Sequence, residues 1–307
     1  MKIKVGRKSQ ASLTKDLTRP TRLIVLFLAP ALILYLVFLV YPTLRVVKLS
    51  FFRGSAATKT FDYVGMENFS NLLRDGNFWN ALTHNFLFIL ISGTATLILA
   101  LIIAQCLAFC TRGRSFFRVV FLFPNVMAIV VVTVLWSFIF NPSFGILNAL
   151  LGLLGLGRFC HAWLGEPGTA LYSLMVIQVW GQAGFYIVLF YAGLLNIPQD
   201  LIEAARIDGA NGFQLFFKVT LPLLSEMLQI AVIYIIIHSL NIFSLVYIIN
   251  EGQPSRYNDV LLTYLYEQGM KNNNFGYACA IGVAMLILVM AITMIVIRIF
   301  RGRTVEI

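Results

Sequence analysis

Six long apolar runs, at about 23–44, 85–110, 118–140, 169–193, 225–249 and 276–298, set the rhythm of this chain, and polar residues gather between them. No run carries a charged residue in its interior. About 20 mostly apolar residues suffice to cross a bilayer as a helix, in which every backbone polar group finds its partner internally. The pattern therefore predicts an all-α polytopic membrane protein with six transmembrane helices. Pro30 and Pro124 fall inside two of the runs. A bundle tolerates such prolines when neighbouring groups satisfy the freed carbonyls. The chain then divides into a basic tail at 1–22, a transmembrane domain at 23–298 and a short tail at 299–307. A Gly-broken apolar stretch at 145–157 reads as a short interfacial helix between the third and fourth spans.

One connector is more elaborate than a connector needs to be. Pro198 reads as a first-turn proline, with Asp200 and Glu203 early in a helix where its dipole favours anions. Ala204, Ala205 and Arg206 extend that helix, and Gly209 is a natural stop. Asn211 then caps a second short stretch carrying Phe213, Leu215, Phe216 and Phe217, and Pro222 leads into the fifth span. The result is a helix–turn–helix with exposed aromatic rings and a carboxylate. Exposed phenylalanines need cover, and either lipid head groups or a docked protein supplies it.

Composition confirms lipid as a solvent. The 307 residues are 59% hydrophobic and 12% charged, against about 25% charged in a soluble domain. The net charge of +10 does not indicate nucleic acid, because the cations sit at the ends of apolar runs and not along a stripe. Lys and Arg are more numerous in 1–22, 111–118, 194–224 and 298–307 than in 45–84, 141–168 and 250–275. That bias places both termini, and the 203–224 connector, in the cytoplasm. The connector at 45–84 is an exception to the bias, with Arg45, Lys48, Arg53, Lys59 and Arg74 on the opposite side. The first run has no charge from Leu23 to Leu44 and no cleavage pattern after it, so it reads as an anchor and not as a secretion signal. The four cysteines and three histidines have no ligand spacing, and His84 and His161 read as surface residues. No metal site is expected.

The connector closely resembles the EAA loop of permease subunits in binding-protein-dependent ABC importers. The residues that carry the likeness are Glu203-Ala204-Ala205, Asp208-Gly209-Ala210 and Val219-Thr220-Leu221-Pro222, in order and without a gap. Elsewhere the chain resembles the carbohydrate branch, the maltose and glycerol-3-phosphate permeases. The stretches are Tyr63-Val64-Gly65 with Glu67-Asn68-Phe69, Phe140-Asn141-Pro142 with Phe144-Gly145, Leu147-Asn148, and Asn274-Phe275-Gly276-Tyr277-Ala278. The likeness spans about 23–300. It implies that 196–224 forms a coupling element that docks on a cytoplasmic ATPase through Glu203, Ala204, Ala205, Asp208, Gly209, Ala210, Phe213, Leu221 and Pro222. It implies as partners a second permease, two ATP-binding subunits and an extracytoplasmic solute-binding protein, in a bacterial or archaeal cell membrane. The chain itself would be no enzyme and hold no cofactor, the ATP and magnesium residing on the ATPases. In keeping with this, the sequence has no GxxxxGK[ST] phosphate loop.

A solute path needs polar side chains inside the bundle, where they escape the cost of facing lipid. Gln178, Gln182 and Tyr186 share one face of the fourth span, with Trp180 nearby. In the fifth span Tyr234, His238 and Asn241 follow helical spacing, with Ser239 and Ser244 beside them, and in the sixth Tyr277 lies near one end. Amides, hydroxyls and rings suit a neutral, polyhydroxylated solute. The same groups can instead tie helices together. No Lys or Arg lies in the interior of any of the six runs, which favours an uncharged sugar or oligosaccharide over an alternative such as glycerol 3-phosphate. An ion-coupled secondary transporter would want intramembrane carboxylates or inverted repeats, and neither is evident.

Overall fold

The computed structural model describes residues 20–55, 60–110, 112–253 and 255–300. Most of the two tails (1–22 and 299–307) lies outside the described residues, as does Lys59. Helix α1 runs from Pro20–Tyr35 through a π-type turn at Leu36–Val40 into Tyr41–Leu49. Pro30 lies within it without breaking it. Its candidate span, Phe27–Leu49, has none of its most apolar stretch buried against the rest of the chain. Strands β1 (Phe52–Ser55) and β2 (Thr60–Tyr63) form an antiparallel hairpin that pairs Phe52 with Tyr63. Helix α2 (Glu67–Arg74) fastens that hairpin to the end of α1, because the Asn68 amide donates to the carbonyls of Ser50 and Phe52 at 2.8 and 2.9 Å.

Helix α3 (Gly76–Phe109) is longer than the expected second span at 85–110. Its first turns carry Asn77, Asn80, Thr83, His84 and Asn85, which lower the local hydropathy. The third span, expected as one helix at 118–140, is two: α4 (Arg114–Val126) and α5 (Ile129–Ile139), bent by 96°. Pro124 lies in the last turn of α4, where it withdraws the N–H that would bond the Val120 carbonyl, and Met127 and Ala128 beyond the helix are extended. Then come α6 (Ile146–Leu153), the expected short helix, and α7 (Ala170–Leu195). The elbow between the fourth and fifth spans contains α8 (Gln199–Ile207) and α9 (Gly212–Leu215), the latter running on through Phe216–Thr220 to Leu221–Leu223. The fifth span, Ser225–Ile249, is broken into α10 (Ser225–Leu240) and α11 (Ser244–Ile249). Helices α12 (Leu261–Tyr266) and α13 (Phe275–Phe300) complete the described chain. Among the described residues, five helices are long and apolar enough to cross a membrane, six if the bent pair makes one span.

Small residues set the closest packing. Ala100 and Ala104 of α3 are fully buried against Ala183, Ile187 and Phe190 of α7, as their helical spacing predicts. Gly184 matters most here. A Cβ on it would lie 2.1 Å from the carbonyl oxygen of Phe121, so only glycine lets α4 approach α7 this closely.

At the far end of α10 from the elbow, the segment around 255–263 is clasped to the start of α3. Asn80 donates to the Arg256 carbonyl at 2.7 Å, and His84 Nδ1–H to that of Asp259 at 2.7 Å. Asn85, with no exposed surface, donates to the Ser239 carbonyl at 2.7 Å and accepts from the Leu261 amide at 2.8 Å. The Tyr264 and Tyr277 hydroxyls both donate to Asp75 Oδ2, the latter at 2.5 Å. Arg256 makes a two-pronged pair with Glu267 at 2.8 and 2.9 Å and reaches Asp259 at 3.0 Å. His84 is thus buried, a correction to the surface position expected of it, because its ring satisfies a carbonyl inside the clasp. His161 stays half exposed, paired with Glu166 at 2.9 Å.

Candidate functional site

Two broken helices meet at one cavity. The bend between α4 and α5 contributes Pro124, Asn125 and Met127. The break between α10 and α11 contributes Asn241, Ile242 and Phe243, flanked by His238 and Ser244. Helix α7 forms the third wall with Ile177, Gln178, Gly181 and Gln182. The cavity measures about 320 Å³. A second one of about 210 Å³ shares Asn125, Gln182 and His238 with it and adds Phe185, Tyr186 and Tyr234. Non-helical backbone at membrane depth is tolerated where it lines such a space or is buried in protein, because its unpaired groups there can find water or other partners.

The polar residues read from the sequence distribute as follows. Gln178, Gln182, His238, Asn241 and Ser244 line the larger cavity, and Tyr186 and Tyr234 the smaller. Tyr234 stacks on His238 with ring centroids 6.3 Å apart and lies 5.6 Å from Phe185, so aromatic faces border the amides. Gln178 is buried, its Nε2 donating to Ser239 Oγ at 3.4 Å while its Oε1 has no partner. The buried Tyr186 hydroxyl also has none. Asn241 donates its side-chain amide to the Ile237 carbonyl at 2.9 Å, beside its own backbone N–H at 3.0 Å, at the end of α10.

Trp180 stands apart from both cavities. It packs edge-on to Trp136 at 5.7 Å within an apolar cluster. Tyr277 is likewise absent from the cavity, its hydroxyl being engaged by Asp75. Asn125 is the residue that sequence reading missed. Its signal was an amide directly after Pro124 in an otherwise apolar run, at the point where the helix must end. Neither cavity is lined by a charged carboxylate, Lys or Arg. No group of three or more potential metal ligands occurs among the described residues.

The elbow at 196–224 is built by local rules. Pro198 takes φ −58° and ψ 130° just ahead of α8, so it precedes the helix instead of sitting in its first turn. Asp200 lies at the positive end of the helix dipole and Arg206 at the negative end. Gly209 adopts φ +81°, and the amide of Ala210 returns to the Ala205 carbonyl at 3.0 Å, closing α8 with a left-handed turn. Nothing lies within 4 Å of a Cβ placed on Gly209, so its requirement there is conformational and not steric. Asn211 and Gln214 cap α9 reciprocally, at 2.9 and 3.0 Å.

No residue of α8 is buried. Glu203, Ala204, Asp208 and Pro222 are exposed, while Ala205, Ala210 and Leu221 are partly covered. Ile207 is 85% exposed and Phe213 74%, with the rings of Phe213 and Phe217 4.4 Å apart. The elbow offers an apolar, aromatic surface that the chain itself leaves uncovered.

Residues 96–305 match the family described as binding-protein-dependent transport system inner membrane component. The chain is 35% identical over 278 residues to a probable ABC transporter permease protein, YurN, of Bacillus subtilis, covering 90% of this chain and 95% of that one. It is 31% identical over 287 residues to the trehalose/maltose transport system permease protein MalF of Thermococcus litoralis, covering 93% and 96%. Among solved structures it resembles a bacterial ABC transporter involved in the import of the acidic polysaccharide alginate, with a TM-score of 0.77 and 26% identity over 96% of this chain and 100% of that one.

Proposed function

The chain belongs to the family of binding-protein-dependent transport system inner membrane components, and from that we propose that it is one of two permease subunits of an ATP-driven importer for a sugar or oligosaccharide. It would span the cytoplasmic membrane of a bacterium or archaeon in six passes, the bent pair α4–α5 counting as one, with both termini inside. A solute-binding protein delivers the solute from outside. Two ATPase subunits hold ATP and magnesium, so no hydrolytic step falls to this chain. The elbow at 196–224 is the surface those ATPases grip, with Gly209 giving its turn and Ile207, Phe213 and Phe217 the apolar contact.

The observation that carries the transport reading is the meeting of two broken helices at a cavity walled by neutral amides, a hydroxyl and an imidazole. Unwound segments free backbone donors and acceptors for a solute that changes partners as it moves. Asn125, Gln178, Gln182, Asn241 and Ser244 offer hydrogen bonds of both senses to sugar hydroxyls, and the Tyr234 ring offers an apolar face to the pyranose. A phosphorylated polyol would want a cation that this wall does not supply.

The test is uptake by cells or vesicles carrying the whole importer, after a panel of oligosaccharides has been screened on its binding protein. His238→Ala and Asn241→Ala should each alter uptake KM or maximal rate at least several-fold while the complex still assembles. Wild-type kinetics in both variants would assign the cavity to helix packing alone.

A further inference from the structure

The five cations of the 45–84 connector remain unexplained by transport, and the structure separates them. Arg53 pairs with Glu67. Arg45 and Lys48 do not; neither side chain enters an ion pair found among the described residues. They lie three apart on one face at the end of α1, so two like charges stand side by side, exposed. The carbonyl end of the helix, equivalent to about half a negative charge, offsets only part of them.

Both cations border a groove of about 610 Å³ whose other walls are apolar and aromatic: Leu49, Phe52, Phe61 and Phe275 among them. Tyr41 lies at its edge, with the Arg45 guanidinium 5.8 Å above its ring. The groove opens beside a helix whose apolar length is unburied. Tyrosine and basic residues at the end of an apolar span mark the level of the lipid head groups. Hydrocarbon below and paired cations at head-group level are the two halves of a phospholipid's chemistry.

We propose that this groove, between the end of α1, the β1–β2 hairpin and the start of α13, is a binding site for an anionic phospholipid. Its acyl chain lies along Leu49, Phe52, Phe61 and Phe275, and its phosphodiester is held by Arg45 and Lys48. The site is independent of which side of the membrane it faces. It also gives a role to two of the five basic residues in a connector that the charge bias would leave poor in them. The lipid would brace the hairpin against α13 where Gly276 already brings the two backbones together.

The assembled importer, purified in mild detergent and offered equal phosphatidylglycerol and phosphatidylcholine, tests this by native mass spectrometry. Wild type should retain phosphatidylglycerol in preference. The double variant Arg45→Gln/Lys48→Gln should lose that preference by on the order of tenfold, since each basic side chain near a charged bilayer contributes appreciably. Arg74→Gln, outside the groove, should keep it, and Arg45→Lys/Lys48→Arg should restore it. Equal retention of the two lipids by wild type, or an unchanged preference in the Gln double variant, overturns the site. So does a photoreactive group at position 48 that crosslinks to the second permease and not to lipid.

Discussion

The elbow at 196–224 and the clasp at 255–263 terminate opposite ends of the fifth span and are held by opposite means. In the elbow every stabilising contact named above is local: the Gly209 turn, the Asn211–Gln214 capping box, the charges matched to a helix dipole. Ile207, Phe213 and Phe217 face outward. In the clasp the contacts that tie it to α3 are long-range, with Asn85 reaching both Ser239 and Leu261 in a buried site and Asp75 gathering two tyrosines. The difference teaches which end is finished within this chain. The clasp satisfies its own polar groups and locks the start of α12 to α3. The elbow is shaped but uncovered, as a surface awaiting a partner is.

Variants can break that contrast, and the largest effect on stability belongs to the clasp. Asn85→Leu strands the Ser239 carbonyl and the Leu261 amide in a dry site, and should cost roughly 2–4 kcal/mol. A fall in the thermal midpoint of the purified complex is the expected result, and an unchanged midpoint would show that water or new partners satisfy these groups. In the elbow, Asn211→Ala should cost about 1 kcal/mol of local helix stability, seen as faster amide exchange across α9 with little change in the midpoint.

Acid offers a smaller, graded test. Burial pushes the Asp75 carboxyl up, but the hydroxyls of Tyr264 and Tyr277 and the amides of Asn77 and Phe78 outweigh it and leave it below the ordinary aspartate range. A lowered carboxyl adds stability that is present above its unfolded value and lost as pH falls through its folded one. The clasp should therefore loosen only below about pH 4. Asp75→Asn should remove that dependence, and an identical acid profile in the variant would contradict the assignment.

The legibility of these regions in the sequence follows from the range of their contacts. The elbow could be read almost residue by residue, since glycine, asparagine and proline act on the backbone beside them. Only Pro198 moved, to the position just before the helix. The six apolar runs were equally plain. What hydropathy hid was polar: the first turns of α3 look like a loop until Asn80, His84 and Asn85 are seen to bond 256–261 and Ser239. The bend at Pro124 was likewise invisible to a window that sums apolarity over a whole span, and with it the place of Asn125 at the cavity. Trp180, sequence neighbour of polar residues, turned instead to an aromatic core.

The central claim is that the elbow transmits work done on ATP by other subunits while the bundle carries the solute. Gly209→Val tests it directly, because a β-branched residue is strained at φ +81° while open space of at least 4 Å surrounds a Cβ placed there. The measurement is solute-stimulated ATPase activity and uptake by the reconstituted importer, beside the thermal midpoint of the same preparation. The account predicts that stimulation and uptake fall at least tenfold while the midpoint barely moves. Full stimulation with wild-type uptake in that variant would contradict it.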